Sequence, residues 1–260
     1  MSALATQDLT IRFGGHVAVN AVTCAFAQGT LTAIVGPNGA GKTTYFNLIS
    51  GQLKATAGRV SLHGQDLTGL PPSARTRAGL GRAFQLTNLF PHLSVLENVR
   101  LAVQAAQPGR HRRGLNLWSI WSYHAALTAR AQGILHAVAL ADRQDMPVAS
   151  LPHGDQRKLE VALLMALDPQ VYMFDEPTAG MGHDEAPVIL DLIRALKKDK
   201  TKTILLVEHK MDVVRELADR IIVLHNGVLV ADGEPAAVIA SPIVQQAYLG
   251  TAASAAEAEA

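Results

Sequence analysis

The hydrophobic positions of this chain follow two different periods, and the changes between them predict its strands and helices. Continuous apolar runs at residues 31–35, 171–175 and 203–207 are typical of strands buried on both faces of a parallel sheet. Residues 184–198 instead repeat at the helical period. The apolar face of that helix consists of Val188, Ile189, Leu192, Ile193 and Leu196. Buried strands separated by helices predict an α/β fold around a parallel sheet.

Other strand-like segments predict a second, antiparallel sheet beside the parallel one. Residues 9–13 and 18–26 precede the first buried strand, and residues 58–64 form a short segment closed by glycine turns. Near the end of the chain, Asn226-Gly227 separates two apolar runs and predicts a hairpin, because these residues tolerate the left-handed φ angles of a tight turn. An antiparallel β subdomain therefore accompanies the parallel core.

The middle of the chain is mostly helical. From residue 89 to about residue 167 no clear strand pattern occurs. We expect a helical subdomain inserted into one domain that spans residues 1–250. Residues 251–260 are mostly Ala and Glu, which predicts a flexible tail.

Composition is that of an ordinary globular protein. The 260 residues are 48% hydrophobic, enough to bury a full core. A net charge of +1 gives no overall electrostatic footprint for nucleic acid. Cys24 is the only cysteine, which excludes internal disulfides and is typical of a small buried residue in a reducing compartment. The N-terminus lacks a signal-peptide pattern, and no apolar run approaches the ~20 residues of a membrane span, so any membrane role requires partners.

A glycine-rich loop follows the first buried strand and matches the pattern G-x-x-x-x-G-K-[ST]. Its residues are Gly36, Pro37, Asn38, Gly39, Ala40, Gly41, Lys42, Thr43 and Thr44. Glycines let backbone N–H groups converge on phosphate oxygens, and the helix expected over residues 45–50 directs its positive end to the same point. We expect Lys42 to reach the β- and γ-phosphates and Thr43 to offer its hydroxyl to Mg²⁺. The alternative is a glycine-rich turn with an exposed lysine.

Two acids end the second buried strand. A parallel strand over residues 171–175 would deliver Asp175 to the carboxyl edge of the sheet, beside the phosphate loop, where it is expected to hold Mg²⁺. Glu176 lies past the strand end and is the candidate base for the attacking water. A solvated turn before Pro177 is the alternative for the acids alone, but together with the loop they indicate hydrolysis of a nucleoside triphosphate.

Four further motifs resemble those of the ATP-binding cassette (ABC) ATPases. Gln85 resembles the Q-loop of that family, and His209 matches its switch histidine. The D-loop is matched by Ala179, Gly180 and Met181. The signature motif, at the start of a predicted helix, is matched by Leu151, Pro152, His153, Gly154, Asp155 and Gln156. The resemblance covers about residues 4–250, and the order of the elements along the chain fits.

The resemblance implies a RecA-like P-loop NTPase that hydrolyses ATP with Mg²⁺. Phe13 would stack on adenine, although the same ring could belong to the core. Gln85 would contact Mg²⁺ or the attacking water. His209 would hydrogen-bond the γ-phosphate. Without the resemblance, the sequence alone would indicate only a polar residue at a strand end. In this family two chains sandwich two ATP molecules, and each signature acts on the nucleotide of the other chain.

Three signature positions depart from the family pattern. Pro152 replaces a serine whose hydroxyl commonly meets the γ-phosphate across the dimer. His153 replaces a glycine or an aromatic residue, and Asp155 stands where glutamine is frequent, which puts an anion into the first turn of the helix. We therefore expect slower turnover than a serine-containing signature gives. Lys210 follows the switch histidine where this branch often has an acid, and the sequence gives no physical account of its effect.

Several segments resemble the ATPase subunits of bacterial importers of the branched-chain amino acid type. They are Arg12-Phe13-Gly14-Gly15, Ala179-Gly180-Met181, Val207-Glu208-His209 and residues 90–99 and 246–250. Residues 109–123, which are basic and aromatic, resemble a stretch found in the longer of the two ATPases of such importers. That stretch would touch a membrane subunit or lipid headgroups, and the alternative is a solvated basic loop that leads into an amphipathic helix.

The importer resemblance also implies partners and a location. It implies a second ATPase subunit, identical or paralogous, two integral membrane permeases and, indirectly, a periplasmic solute-binding protein. The solute would be a branched-chain amino acid or a related small polar or carboxylate compound. The chain would act at the cytoplasmic face of the inner membrane, and no nucleic-acid partner is expected.

Three other functions fit the sequence less well. A soluble ABC-type regulator of a nucleic-acid or ribosome process generally carries two cassettes or long coiled-coil insertions, whereas this chain has one phosphate loop and no sustained heptads. A GTPase would need an Asn-Lys-x-Asp guanine motif, which does not occur. A small-molecule kinase would leave the signature and the switch histidine without a role.

Overall fold

The computed structural model describes most of the chain as two compact units. The described residues are 2–83, 89–107, 117–182, 184–242 and 244–245. Side chains are described from residue 125 onward in the helix that begins at Leu117. The first unit contains the described residues up to Leu80, Gln170–Glu176 and those from Lys197 onward. The second unit contains the described residues of Gly81–Pro169 and Pro177–Leu196.

The described residues form both strands and helices. The strands are β1 (Ser2–Phe13), β2 (His16–Ala27), β3 (Leu31–Val35), β4 (Ala57–Leu62), β5 (Gln65–Asp66), β6 (Leu80–Arg82), β7 (Val171–Asp175), β8 (Thr203–Val207), β9 (Arg220–His225) and β10 (Val228–Gly233). The helices are α1 (Lys42–Ser50), α2 (Pro72–Arg77), α3 (Val95–Ala105), α4 (Leu117–Ala137), α5 (His153–Leu167), α6 (Ala186–Lys198), α7 (Met211–Leu217) and α8 (Pro235–Ile239).

The strands form two sheets. One has six strands in the order β10-β9-β3-β8-β7-β6. In this sheet β3 lies parallel to both of its neighbours, β8 and β9, and β7 lies parallel to β8. The other has four strands in the order β2-β1-β4-β5, and its pairs are antiparallel. The expected α/β fold with a parallel sheet and an antiparallel sheet is confirmed.

The parallel sheet is buried on both faces because alternate residues of its strands enter different cores. In β3, Ile34 packs into a core that includes Phe26 and Phe46, from the antiparallel sheet and from α1. Its neighbours Ala33 and Val35 pack into a second core on the other face, with residues of β9, α7 and α8. Burial on both faces explains why these strands read as continuous apolar runs. The same sheet brings the carboxyl ends of β3, β7 and β8 to one edge.

Helices dominate the second unit. The regular elements among residues 89–107 and 117–167 are α3, α4, α5 and two short 3₁₀ turns. Helix α3 begins at a capping box in which the Ser94 hydroxyl accepts from the Glu97 N–H and the Glu97 carboxylate accepts from the Ser94 N–H. Buried Val99, Val103 and Leu159 line the contact between α3 and its neighbours. In the described part of the chain, no helix is both long and apolar enough to cross a membrane.

The structure extends or adds elements where the sequence pattern was weak. Strand β1 begins at Ser2 rather than at residue 9, because Leu4 and Thr6 are buried against β2 and β4 although the segment is short of large apolar residues. Strands β5 and β6 and helix α2 were not predicted, since two to six residues carry too little periodicity. The predicted hairpin is confirmed as β9 and β10 around Asn226-Gly227.

Candidate active site

The phosphate loop joins the end of β3 to the start of α1. Two of its positions must be glycine because a side chain there would clash with neighbouring backbone. Gly36 has φ 152°, and a Cβ there would lie 2.1 Å from the Leu224 carbonyl oxygen. Gly41 has φ 95°, and a Cβ there would lie 2.6 Å from the Ala18 carbonyl oxygen. Both positions exclude any larger residue. The loop is therefore held closely against neighbouring backbone at its two ends.

The Lys42 ammonium lies inside this loop. Its Nζ donates to the Gly36 carbonyl at 2.7 Å and to the Pro37 carbonyl at 2.9 Å. Burial lowers the pKa of Lys42 from its ordinary value, and the carboxylates of Glu176 and Asp175 oppose that shift. Those two acids thus lie within electrostatic range of the ammonium. A cation that is partly removed from water and held by carbonyl oxygens is well placed to exchange them for phosphate oxygens.

The N-terminus of α1 offers further donors to an anion. Its N-cap residue is Gly41, no side chain caps the first N–H groups, and no acid lies in the first turn. Uncapped N–H groups and the positive end of the helix dipole both favour a bound phosphate. Thr43 is exposed in this first turn, where its hydroxyl can serve as a ligand.

Asp175 and Glu176 lie at the edge where the parallel strands end. Asp175 pairs with Val207 in the register of β7 with β8, and the Glu176 N–H donates to the Val207 carbonyl at 3.0 Å. Glu176 has φ 50°, a left-handed conformation that costs a non-glycine residue about 1–2 kcal/mol. This backbone geometry turns the chain immediately after the strand, so that successive acids leave the sheet in different directions.

The structure brings Glu176 and His209 together. The His209 Nε2 lies 3.3 Å from the Glu176 Oε2, and both side chains are partly exposed. The pair joins the ends of two adjacent parallel strands, β7 and β8. A carboxylate and an imidazole at this distance can share a proton and can both face a bound γ-phosphate.

Glu208, which sequence reasoning missed, fixes the turn that carries His209. Its side chain is 2% exposed, and its Oε1 accepts from the N–H groups of His209 and Lys210, each at 3.0 Å. The Oε2 atom is buried without a hydrogen-bond partner. The signal in the sequence was an acid directly after the buried strand β8 and directly before His209.

Phe13 stands at the end of β1 with an exposed ring. Its side chain is 50% exposed, and the residue pairs with His16 across the Gly14-Gly15 turn. The alternative that Phe13 belongs to the core is therefore wrong. The ring face is free to accept a planar partner such as a base.

The signature segment lies in the second unit. Helix α5 begins at His153 with Pro152 as its N-cap, and the Pro152 side chain makes no capping hydrogen bond. Gln156 donates from Nε2 to the Leu151 carbonyl at 3.0 Å, which closes the turn before the helix. The first-turn N–H groups of α5 are thus left without a side-chain cap, as in α1.

Asp155 has two cationic partners that the sequence did not indicate. Its side chain is buried, its Oδ1 accepts from Lys158 Nζ at 2.9 Å, and its Oδ2 pairs with the Arg143 guanidinium. Lys158 lies one turn along the same helix, but Arg143 lies in a separate 3₁₀ turn. The anion predicted in the first turn of the signature helix is therefore compensated within the protein.

The remaining candidates lie at exposed turns or outside the described residues. Ala179 and Gly180 of the D-loop are exposed, and the Met181 N–H donates to the Thr178 carbonyl at 3.3 Å. Gln85 lies outside the described residues, as do residues 109–116 and 246–260. The backbone of α4 begins at Leu117, within the basic and aromatic segment.

The residues at the edge of the sheet fit a magnesium ion that arrives with the nucleotide. Among the described residues there is no cluster of three or more His, Cys, Asp or Glu side chains that would hold a metal by itself. The donors here are one hydroxyl, Thr43, and one carboxylate, Asp175. Mg²⁺ prefers a few hard oxygen ligands and completes its shell with phosphate oxygens and water. The donor set is therefore suited to a nucleotide-bound ion.

Comparison with known proteins supports the same family. A family model described as ABC transporter matches residues 19–179. The chain is 37% identical over 250 residues to the high-affinity branched-chain amino acid transport ATP-binding protein LivG of Salmonella typhimurium, covering 96% of this chain and 98% of LivG. It is 34% identical over 255 residues to BraF of Pseudomonas aeruginosa, which has the same description, covering 96% and 98%.

Solved structures agree with the fold. The ADP conformation of MJ1267, an ATP-binding cassette of an ABC transporter, matches with a TM-score of 0.78 and 29% identity, covering 96% of this chain and 99% of that one. A dimeric post-hydrolysis state of the cassette MJ0796, bound to ADP and Pi, matches with a TM-score of 0.75 and 25% identity, covering 89% and 98%. The resemblance that the motifs indicated is confirmed, and the chain belongs to the ABC transporter family as an ATP-binding subunit with ATPase activity.

Proposed function

We propose that this chain hydrolyses ATP to drive a bacterial ABC importer for branched-chain amino acids or related small polar or carboxylate solutes. The observation that carries the catalytic part is the pair of Glu176 and His209, 3.3 Å apart at the strand edge that also faces Lys42. The solute class is supported by LivG and BraF, which are described as branched-chain amino acid transport proteins.

Within this proposal, each candidate residue that contacts the nucleotide or its metal ion has a distinct role. The N–H groups from Gly36 to Thr44 and the Lys42 ammonium bind the β- and γ-phosphates. Phe13 stacks on the adenine. Thr43, Asp175 and Gln85 would hold Mg²⁺, which when bound neutralises charge on the phosphates. The proposed cassette is a single domain over residues 1–250 with a helical subdomain over residues 89–167.

Hydrolysis requires a base and a donor to the terminal phosphate. The Glu176 carboxylate orients the attacking water and accepts its proton. The His209 imidazole hydrogen-bonds a γ-phosphate oxygen, and Glu208 keeps that imidazole in position through the two backbone N–H groups. Excluding water from this edge strengthens both interactions.

The pocket is completed by a second ATPase subunit. The segment from Leu151 to Gln156, with Gly154 at its centre, faces the γ-phosphate bound by the other subunit, and the uncapped start of α5 supplies donors for it. The D-loop, Ala179-Gly180-Met181, lies along the same interface. The dimeric cassette bound to ADP and Pi supports an assembly of this kind. Closure therefore depends on intact ATP.

The other partners follow from the transport role. Two integral membrane permeases bind the helical subdomains of the two ATPases and are driven between two states by closure and opening. A periplasmic solute-binding protein delivers the solute to the permeases. The chain then works as a peripheral protein at the cytoplasmic face of the inner membrane.

The variant Glu176→Gln tests the catalytic assignment. It keeps the shape of the side chain but removes the base, so we expect ATP binding to persist while steady-state hydrolysis falls at least about 100-fold. The matched control is Glu234→Gln, at an exposed position before α8. Hydrolysis by Glu176→Gln at the rate of the control would contradict the assignment.

The transport role is tested with the assembled importer. The ATPase chain should copurify with two polytopic membrane proteins, and vesicles that contain the assembly should accumulate labelled leucine only when ATP and the intact chain are present. Copurification with ribosomes or nucleic acid in place of membrane proteins would contradict this role.

A further inference from the structure

The carboxylate of Glu185 lies directly against Gly154, the glycine at the centre of the signature. A Cβ placed on Gly154 would lie 2.2 Å from both Oε1 and Oε2 of Glu185, a separation that real Cβ contacts essentially never show. The same carboxylate accepts from the Gly182 N–H, with Oε2 3.1 Å away. Glu185 therefore connects the turn after the D-loop to the first turn of α5. A side chain at position 154 would displace this carboxylate, which is the flexible end of Glu185.

The Glu185 charge is only partly compensated by its neighbours. Among the described residues, Glu185 forms an ion pair with Lys158, whose Nζ is 4.0 Å from Glu185 Oε1 but 2.9 Å from Asp155 Oδ1. Arg143 also pairs with Asp155. Because Asp155 is buried and close to both cations, it takes the larger share of their charge. Glu185 keeps a side chain that is one-third exposed and faces Gly154.

The position of this carboxylate matters because of what the start of α5 is proposed to bind. The N-cap Pro152 offers no side-chain acceptor, so the first-turn N–H groups and the helix dipole attract an external anion. An anion that binds at Gly154 has to come close to the Glu185 carboxylate, which lies against that residue. We infer that Glu185 is a positioning residue that competes with the incoming γ-phosphate of the second subunit and so raises the ATP concentration needed for the two subunits to close.

This inference rests on the proposed trans action of the signature. Closure moves Glu185 away from Gly154 and breaks its bond to the Gly182 N–H. Lys158 is the cation toward which the carboxylate can swing, since it is already within 4.0 Å. Removing the charge of Glu185 while keeping its size should make closure easier, because the phosphate then displaces a neutral amide in place of an anion.

The experiment uses the full chain with hydrolysis blocked by Glu176→Gln. ATP-driven association is followed by sedimentation velocity over a range of ATP concentrations with Mg²⁺ present. Adding Glu185→Gln should lower the half-saturating ATP concentration at least about threefold, whereas the control Asp184→Asn, an exposed neighbour that loses the same charge, should leave it unchanged. Thermal unfolding of each variant checks that its fold is intact.

A second measurement separates competition from simple support of the signature turn. With Glu176 intact, competition predicts that Glu185→Gln lowers the KM for ATP without lowering kcat. A supporting role predicts a higher KM and a lower kcat, and that result would overturn the inference. An unchanged half-saturating ATP concentration in Glu185→Gln would overturn it as well. If the Glu176→Gln parent does not associate at any ATP concentration, the ATP-bound sandwich itself is wrong and the inference is lost with it.

Discussion

At the scale of single residues, the catalytic edge depends on side chains that act in pairs. The proposed base, Glu176, has a left-handed backbone conformation after β7, and the turn that carries His209 is held by hydrogen bonds to Glu208. The burial of Glu208 makes this support stiff, because a buried carboxylate that accepts two N–H groups has few other arrangements.

Replacement of Glu208 tests whether the turn at His209 needs its acceptor. Glu208→Ala leaves two N–H groups without a partner, so we expect kcat to fall about 10-fold, equivalent to about 1.4 kcal/mol in the activation barrier, with ATP affinity little changed. Glu208→Gln keeps an oxygen acceptor and should recover most of the lost rate. The measurement is steady-state ATPase kinetics, and a Glu208→Ala enzyme with unchanged kcat would show that His209 is positioned by other contacts.

The sequence predicted where a residue lies when its functional group follows directly from a recognisable motif or strand. Asp175 and Glu176 lie at the end of a buried strand, and Lys42 follows the loop that leaves another, so their place near the sheet edge followed from the pattern. Glu185 and Arg143 were missed because their partners, Gly154 and Asp155, lie in other elements, and no local pattern records a contact made through folding.

At the scale of elements, the start of α5 has no side-chain cap, and the negative charge of Asp155 in its first turn is paired with two cations. Asp155 belongs to the first turn, where the helix dipole favours a negative charge, and it also pairs with Lys158 and Arg143. The cluster of Asp155, Lys158 and Arg143 stabilises the first turn of α5, whereas Pro152 provides no cap for the N–H groups of that turn.

The variant Lys158→Met tests the cost of removing one cation from the cluster. Asp155 would keep only Arg143, so we expect the free energy of unfolding to fall by roughly 1–3 kcal/mol. Adding Asp155→Asn removes the buried carboxylate that has lost its Lys158 partner and should restore part of the loss. Urea denaturation of the two variants and the parent measures both effects, and equal stability of Lys158→Met and the parent would contradict a structural role for the cluster.

The variant Pro152→Ser tests the departure at the signature. A serine can cap the first turn of α5 and can offer its hydroxyl to the γ-phosphate of the other subunit, so we expect faster steady-state ATP hydrolysis in the assembled complex. The rate per complex at saturating ATP is the measurement. An unchanged rate would mean that the proline does not limit turnover.

Elements were predictable in proportion to their length and burial. Strands β3, β7 and β8 gave clear apolar runs because both faces of each are covered, and the β9–β10 hairpin was marked by its Asn-Gly turn. Strands β5 and β6 gave no usable signal because two or three residues carry too little periodicity. The first half of β1 was missed because small and polar residues fill its buried positions.

At the scale of the whole molecule, each compact unit carries one half of a proposed pocket. The first unit holds the phosphate loop, Asp175, Glu176 and His209, and the second holds the signature helix and the D-loop. Such a division suits the proposed dimer, in which the first unit of one subunit binds the nucleotide and the second unit of the other subunit contacts its γ-phosphate. The sequence indicated this division only through the order of its motifs, since the assembly of two chains has no local pattern.

The central claim is that the ATP site is shared between two subunits, and a cryo-EM structure of the Glu176→Gln assembly with Mg²⁺ and ATP tests it most directly. We predict that the first-turn N–H groups at Gly154 of one subunit lie about 3 Å from oxygens of the terminal phosphoryl group bound to Lys42 of the other, within hydrogen-bond distance. A structure in which Gly154 lies far from that group, with solvent between them, would contradict the account.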